Sequence, residues 1–330
     1  MKKKSVALFA LLCILFFTAC ASAEPQEQEA GTSQPTQTEM LTEEKTWFNF
    51  FWDENYVSPT STLAEEESWI NVWDENYAPI SDDPMAFCNL FPDPFFAWEV
   101  ARLFKKEVTD AITYEELAAY EGGIGCGPGL LKSVEGIGLL TGVTSFSSGK
   151  NELETLPAEI GNLVNLTEID LLKAYSFKRL PPEIGKLKNL TFLCLALTSL
   201  EALPKEIGNC EALVVLRVDA TGLASIPPEI GKLKSLKTLD AHSTKITSLP
   251  DSLCELTSLE YLNLGYTKLA ALPKNIGKLS NLRSLNLFGC KLKTLPQSMK
   301  QLKNLRHLNV YDNFELDEEY KKWFDKEVYS

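Results

Sequence analysis

The chain has 330 residues and a formal net charge of −13. That length is sufficient for a substantial apolar core. The negative charge is uneven, because residues 21–85 hold 15 acidic side chains and one lysine, which leaves the rest of the chain nearly neutral. This charge distribution argues against nucleic acid as a partner, since binding to phosphates requires a positive field.

Residues 1–20 have the pattern of an export signal. Three lysines are followed by an apolar run at 6–17 that is too short to span a bilayer. The run leads into Phe17-Thr18-Ala19-Cys20, which resembles the bacterial lipobox, although Phe17 replaces the usual leucine. We therefore predict a protein of the cell envelope, at the outer membrane or cell surface, anchored only through lipid on Cys20. Cleavage after Ala23 is the alternative and would give a secreted protein.

Two irregular segments follow the signal. Residues 21–46 are rich in Gln, Glu, Thr, Ser and Pro, which predicts a disordered acidic tether. Residues 47–88 are aromatic and acidic and contain the pentapeptide Trp-Asp-Glu-Asn-Tyr twice, at 52–56 and 73–77. We interpret the copies either as a bare duplication or two arms that pack against the repeat cap, or as two short motifs that dock on a partner through Trp and Tyr.

Residues 89–132 predict a helical N-terminal cap. Apolar residues recur at helical spacing after Pro94, which predicts one helix. A second helix is predicted to begin at Tyr114-Glu115-Glu116-Leu117. A cap of this kind is needed wherever a stack of repeats would otherwise expose its first core layer.

Residues 133–317 repeat one phrase, Leu-Pro-x-x-Ile-Gly-x-Leu-x-x-Leu-x-x-Leu-x-Leu-x-x-Thr-x-Leu. Seven copies, spaced by 23 residues with one step of 24, begin at Leu156, Leu180, Leu203, Ile226, Leu249, Leu272 and Leu295. An eighth, degenerate copy begins at Ser133. A fixed period of this length predicts a solenoid in which each unit buries its apolar face against its neighbours. Residues 318–330 predict a short C-terminal cap helix.

Each copy divides into two halves, with positions counted from its first residue as zero. Apolar residues at positions 13 and 15 predict a short strand with one buried face, so that stacked copies form a parallel sheet. The Leu-Pro-x-x-Ile-Gly half predicts a helical turn with Pro at its first position. Position 18 predicts a polar ladder for buried backbone groups, with a weaker rung at Cys290. Its members are Thr198, Thr221, Thr244, Thr267, Cys290 and Asn313.

The repeated phrase identifies the chain as a member of the leucine-rich repeat family, similar to the 23-residue bacterial and plant type. The cap phrases at 91–95, 111–117 and 131–137 resemble the helical cap and the first strand and turn of bacterial surface proteins of the internalin group. This resemblance implies an α/β solenoid, a leucine-rich repeat horseshoe with a concave parallel β-sheet and a cap at each end. It also implies a binding scaffold and not an enzyme.

The few reactive residues predict neither a catalytic site nor a metal site, and no cofactor. His242 and His307 fall three repeats apart on the concave face, and Cys194, on the same face, lies two repeats from His242, too far for a Cys-His pair. Asp240 lies opposite Arg217 on the neighbouring strand, which we interpret as a surface ion pair.

The cysteines are scattered, with no Cys-x-x-Cys spacing, which argues against a zinc site. Cys88 and Cys126 flank the cap segment, and they are either bridged in an oxidising compartment or free.

Two zones of the concave face predict a partner-binding surface of a monomeric protein, formed by outward residues at positions 12, 14, 16 and 17. The apolar zone comprises Leu172, Phe192, Leu197, Val215 and Ala220. The polar and aromatic zone comprises Tyr261, Tyr266, Phe288, His307 and Tyr311, beside a column of Asn263, Asn286 and Asn309. With Arg217 and Asp240 between them, these zones suit a protein or a glycan. Adhesion or host interaction is the predicted function; an envelope scaffold or assembly factor for partners of the same cell is the alternative.

Overall fold

The computed structural model of the protein describes residues 81–316. The predicted signal with Cys20, the tether, both pentapeptides and the C-terminal helix at 318–330 lie outside the described residues. Three short helices come first, α1 (Phe87–Leu90), α2 (Pro94–Leu103) and α3 (Tyr114–Ala118). None of the helices in this part of the chain is long and apolar enough to cross a membrane.

A nine-stranded sheet follows, in which each strand pairs in parallel with the next strand along the chain. The strands are β1 (Gly123–Cys126), β2 (Ser145–Ser148), β3 (Glu168–Asp170), β4 (Phe192–Cys194), β5 (Val215–Arg217), β6 (Thr238–Asp240), β7 (Tyr261–Asn263), β8 (Ser284–Asn286) and β9 (His307–Asn309). Sequential parallel pairing means that each coil stacks on the previous one, so the predicted leucine-rich repeat solenoid is confirmed.

The core is built from the same positions in every coil. In the coil that begins at Leu180, the strand residue Leu193 and the following Leu195 are fully buried, as are Ile184 and Leu187 on the opposite side. Because one strand face and one helical face of each coil point inward, burial of these side chains stabilises the stack.

The Leu-Pro-x-x-Ile-Gly half of each coil contains a 3-10 helix of three to five residues. These helices span Ile137–Leu139, Ala158–Asn162, Pro182–Lys186, Lys205–Asn209, Pro228–Lys232, Asp251–Glu255, Ile276–Lys278 and Gln297–Gln301. The prediction that the first proline of the motif opens the helix is wrong. This proline precedes the helix in extended backbone; Pro157, for example, has φ −71° and ψ 158°. The fixed φ of proline is compatible with this extended position as well as with a helical one.

The glycine of the repeated phrase is required by the close approach of neighbouring coils. A Cβ atom on Gly185 would lie 2.6 Å from the carbonyl oxygen of Glu206 in the next coil. We expect Gly185→Ala to lower the free energy of unfolding by about 1–3 kcal/mol, because backbone must move to accommodate the methyl group. Gly127→Ala is the control, since its Cβ would meet no atom within 4 Å. Urea unfolding followed by circular dichroism measures both, and equal losses would contradict the steric explanation.

The polar ladder at position 18 is confirmed. The hydroxyls of Thr198, Thr221, Thr244 and Thr267 donate to the carbonyl three residues earlier at 2.7–2.8 Å. Cys290 instead directs its thiol at the carbonyl of Leu264 in the previous coil, 3.2 Å away. The carbonyl of Leu287, three residues before Cys290, would be the acceptor for a threonine at position 290. It accepts a hydrogen bond from the Asn313 amide of the next coil instead, at 2.8 Å.

The N-terminal cap is attached to the first coil through one carboxylate. Asp93 Oδ1 accepts from the backbone N–H groups of Phe95 and Phe96 at the start of α2, both at 3.0 Å. Asp93 Oδ2 accepts from the N–H groups of Lys132 and Ser133, at 2.9 and 3.0 Å. Since Asp93 is only 9% exposed, these four bonds join the helix to the loop that leads into the repeats.

The sheet begins one strand earlier than predicted. Residues 131–137, expected to hold the first strand and turn, contain no strand, and β1 at Gly123–Cys126 lies inside the segment predicted as helical cap. The backbone amides of Lys132 and Ser133 are taken by Asp93 and are not available for a strand ladder. Helix α3 is also short, with a capping box formed by Thr113 and Glu116.

The six cysteines within residues 81–316 are all free thiols, so Cys88 and Cys126 are not bridged. Five of the six are buried, with Cys88 partly exposed.

Candidate functional site

The concave face presents one column of side chains for each outward position of the coil. Register pairs Phe192 with Val215, and Arg217 with Asp240, so equivalent residues of successive coils lie side by side. The predicted apolar zone occupies the N-terminal half of this face, and all five of its members are half-buried. They are Leu172, Phe192, Leu197, Val215 and Ala220. The zone is therefore a shallow apolar surface with limited reach into solvent.

A charged cluster occupies the middle of the face, and it is arranged differently from the predicted ion pair. The Arg217 guanidinium contacts Asp219 of its own coil, with Nε 3.3 Å from Oδ1. Asp240 instead accepts from the backbone N–H of His242 at 3.2 Å, and its Oδ1 lies 2.8 Å from Nδ1 of the same residue. Because Asp219 and Asp240 are 2% and 6% exposed, this cluster is buried and is not a surface ion pair.

Burial and the nearby charges shift the pKa values of three side chains in and beside the cluster. Burial raises the pKa of Asp219, and the negative charge of Asp240 raises it further, against the opposing effect of Arg217. Burial alone would lower the pKa of His242, but the hydrogen bond and charge of Asp240 and the charge of Asp219 outweigh it and leave that pKa raised. Burial, with the charge of Asp240, also raises the pKa of the Tyr261 hydroxyl.

Cys194 lies on the concave face, as predicted, but it is not exposed there. Its register position belongs to the concave face, but the residue is only 1% exposed because larger neighbours cover its short side chain. Burial and the charge of Asp170 hold the pKa of the Cys194 thiol well above its ordinary value, which disfavours the thiolate. This cysteine is therefore unsuited to act as a nucleophile.

The C-terminal half of the face exposes aromatic rings. Tyr266 and Tyr311 are each 61% exposed. The Tyr266 ring contacts Phe288 edge-on, with centroids 4.9 Å apart. Gly289 makes room for this arrangement, since a Cβ there would lie 3.1 Å from the Tyr266 ring. Exposed aromatic rings held by their neighbours in this way are typical of protein contacts.

The asparagine column beside these rings has a uniform orientation. The side-chain oxygens of Asn263, Asn286 and Asn309 accept from the backbone N–H two residues later, at 3.0–3.2 Å. The amide nitrogens of Asn286 and Asn309 have no hydrogen-bond partner within residues 81–316. The column therefore presents N–H donors beside aromatic rings.

One residue of the concave face and one exposed loop residue were missed from the sequence. Asp219 occupies position 16 of its coil, the same column as His242, and that shared position could have identified it. Phe314 is 91% exposed on the loop after β9. Phe314 lies where the last copy stops following the repeated phrase, so the sequence pattern does not indicate whether its side chain is buried or exposed.

Comparison with protein families matches the repeats. Residues 211–269 match a leucine-rich repeat model, and residues 251–322 match a leucine-rich repeat region model. Comparison with curated protein sequences gives no match. Together with the nine stacked parallel strands, the matches show a leucine-rich repeat fold. Stacked repeats of this kind present extended concave surfaces.

Several solved structures are similar to this chain. A leucine-rich repeat protein of Leptospira interrogans is 36% identical, with a TM-score of 0.50, over 55% of this chain and 52% of that chain. Internalin C2 of Listeria monocytogenes is 22% identical, with a TM-score of 0.59, over 68% and 96%. A TDR receptor is 26% identical, with a TM-score of 0.50, over 58% and 33%. This chain thus spans about half the length of the Leptospira protein, and the likeness to internalin C2 concerns the fold alone.

Proposed function

We propose that this protein is a non-catalytic scaffold of the bacterial cell envelope that binds another protein on its concave face. The observation that carries the proposal is the combination, on the C-terminal half of the face, of exposed tyrosines with a column of amide N–H donors. Aromatic rings supply contact area, and the donors match the backbone carbonyl groups of a protein partner.

The position of the scaffold in the envelope rests on the N-terminal sequence. Lipid on Cys20 would hold a monomer at the outer membrane or cell surface, and the acidic segment at 21–46 would separate the repeats from the bilayer. Mass spectrometry of the mature protein is expected to find lipid on Cys20. A mature chain that starts at Glu24 would instead indicate secretion.

Binding is tested by capture from envelope extracts and from host extracts. The wild type is compared with the double variant Phe192→Ala/Tyr261→Ala and with Lys232→Ala, an exposed residue on the opposite, convex side. We expect partner proteins to be retained by the wild type and by Lys232→Ala but lost by the double variant. Equal retention by all three would exclude the concave face as the binding surface.

Protease treatment of intact cells separates the two cellular roles. Digestion of the repeats would support adhesion or host interaction, because the concave face would then be accessible from outside the cell. Protection on intact cells, with digestion after lysis, would support a scaffold or assembly factor for partners of the same cell.

A further inference from the structure

The buried cluster in the middle of the concave face contains a set of potential metal ligands. Asp219, from the end of β5, lies beside Asp240 and His242, from the end of β6. One carboxylate oxygen or imidazole nitrogen from each residue lies within 4.8 Å of the other two. A divalent ion at the centre of such a set would be within about 2.0–2.6 Å of all three atoms after small side-chain rotations.

The hydrogen bonding of Asp219 leaves lone-pair positions that a metal ion could use. A carboxylate offers about four lone-pair positions, and a buried one is usually satisfied at most of them. Within the described part of the chain, the only hydrogen-bond donor to Asp219 is Arg217, at the long distances of 3.3 and 3.5 Å. Asp93, by comparison, accepts four bonds of 2.9–3.0 Å. Asp219 is thus 2% exposed, and each of its oxygens accepts one long bond from Arg217.

The charge of the cluster also favours a cation. Two carboxylates and one guanidinium face each other, with the Tyr261 hydroxyl and the Asn263 amide beside them. With the imidazole neutral, the net charge of these groups is negative, and burial makes it costly. A divalent ion that took the place of Arg217 would neutralise the two carboxylates. Arg217 is the competitor for the same position, since its guanidinium already lies against Asp219.

We propose that Asp219, Asp240 and His242 form a binding site for a divalent transition-metal ion on the concave face. The mixed donor set of two carboxylates and one imidazole suits Zn²⁺, Mn²⁺ or Co²⁺ better than Ca²⁺ or Mg²⁺, which prefer oxygen ligands alone. His242 is partly exposed to the groove, with a side-chain exposure of 13%, which provides an entry path. The site belongs to the chain alone and does not require a bound partner.

Co²⁺ titration of the chelator-treated, untagged full chain tests this site. We expect binding of one equivalent, observed by calorimetry and by visible d–d absorption. Because the chain contains only two histidines, paramagnetic broadening of the imidazole NMR signals identifies the ligand in the wild type itself. Broadening of His242 and not of His307 is expected. The absence of stoichiometric binding, or broadening of His307 alone, would overturn the proposal without the need for any variant.

The Co²⁺ affinity of substituted chains is a second test of the site. Asp219→Asn and His242→Gln are each expected to weaken Co²⁺ binding at least tenfold, whereas His307→Gln, on the same face but exposed, leaves it unchanged. Arg217→Gln is expected to strengthen binding, because it removes the competing positive charge. Unchanged affinity in His242→Gln, or equal loss in His307→Gln, would contradict the assignment. Since these measurements use the metal alone, their failure is distinguishable from failure to find a protein partner.

Discussion

Replacement of Asp93 by alanine is expected to lower the free energy of unfolding by about 3–5 kcal/mol, the largest effect of any substitution described above. The carboxylate accepts four backbone hydrogen bonds, two at the start of α2 and two in the loop before the repeats. Its removal leaves those amides without an acceptor at a position that is 9% exposed. An N-cap alone contributes about 0.5–2 kcal/mol, and the additional loss comes from the two loop amides.

Urea unfolding followed by circular dichroism measures this loss. Hydrogen exchange at the amides of Phe96 and Val100 shows whether the cap opens before the coils, which can unfold separately in a repeat protein. Asp93→Asn should give an intermediate loss, because the amide retains one oxygen acceptor. Asp82→Ala is the control, since Asp82 is exposed and accepts no such bonds from residues 81–316. Equal stability of the Asp93→Ala and Asp82→Ala variants would refute the role assigned to the carboxylate.

Replacement of Tyr266 by alanine is expected to weaken partner binding by about tenfold to a hundredfold. That range corresponds to about 1.4–2.8 kcal/mol and is typical of an aromatic residue at the centre of an interface. Tyr266 is 61% exposed, and Phe288 holds its ring from one side. Because the ring is mostly outside the core, its loss should change affinity far more than stability. Surface plasmon resonance with a captured partner protein measures the change, and thermal unfolding verifies that the fold is retained.

Tyr175→Ala is the matched control for this substitution. Tyr175 is a tyrosine of similar exposure, 58%, but it lies on the loop after β3 and outside the concave columns. We expect Tyr175→Ala to bind as the wild type does. Equal weakening in the two variants would indicate a binding surface that includes the loops, and unchanged affinity in Tyr266→Ala would remove the aromatic half of the face from the interface.

Local pattern predicted most of the fold correctly. The alternation at positions 13 and 15 placed the strands of all eight predicted coils, and position 18 identified the polar ladder through Asn313. Both follow from a period that recurs with the same burial in each coil. The first strand, β1, was missed because its sequence, Gly-Ile-Gly-Cys, alternates in burial but lies outside the copies of the repeated leucine phrase. The loop at 131–137 was mistaken for a strand because its apolar residues are buried without pairing.

The candidate site was predicted less completely than the fold. The residues of the aromatic zone were identified as outward-facing, and Tyr266 and Tyr311 are strongly exposed. Arg217 was paired with the wrong carboxylate, because register across the strands does not fix which of two nearby acids a long flexible side chain contacts. The exposure of Cys194 was also misjudged, since a short side chain between larger ones is covered by them.

The sequence by itself determined the solenoid, the direction and order of its strands, and the columns of the concave face, because a repeated apolar pattern can be buried only by stacking. The tertiary structure decided how side chains share space within those columns. It brought Asp219 beside Asp240 and His242, buried Cys194, and joined the cap to the coils through Asp93. The physical reason is that burial and hydrogen-bond geometry depend on the size and reach of neighbours in other coils or in the cap, which a one-dimensional pattern does not contain.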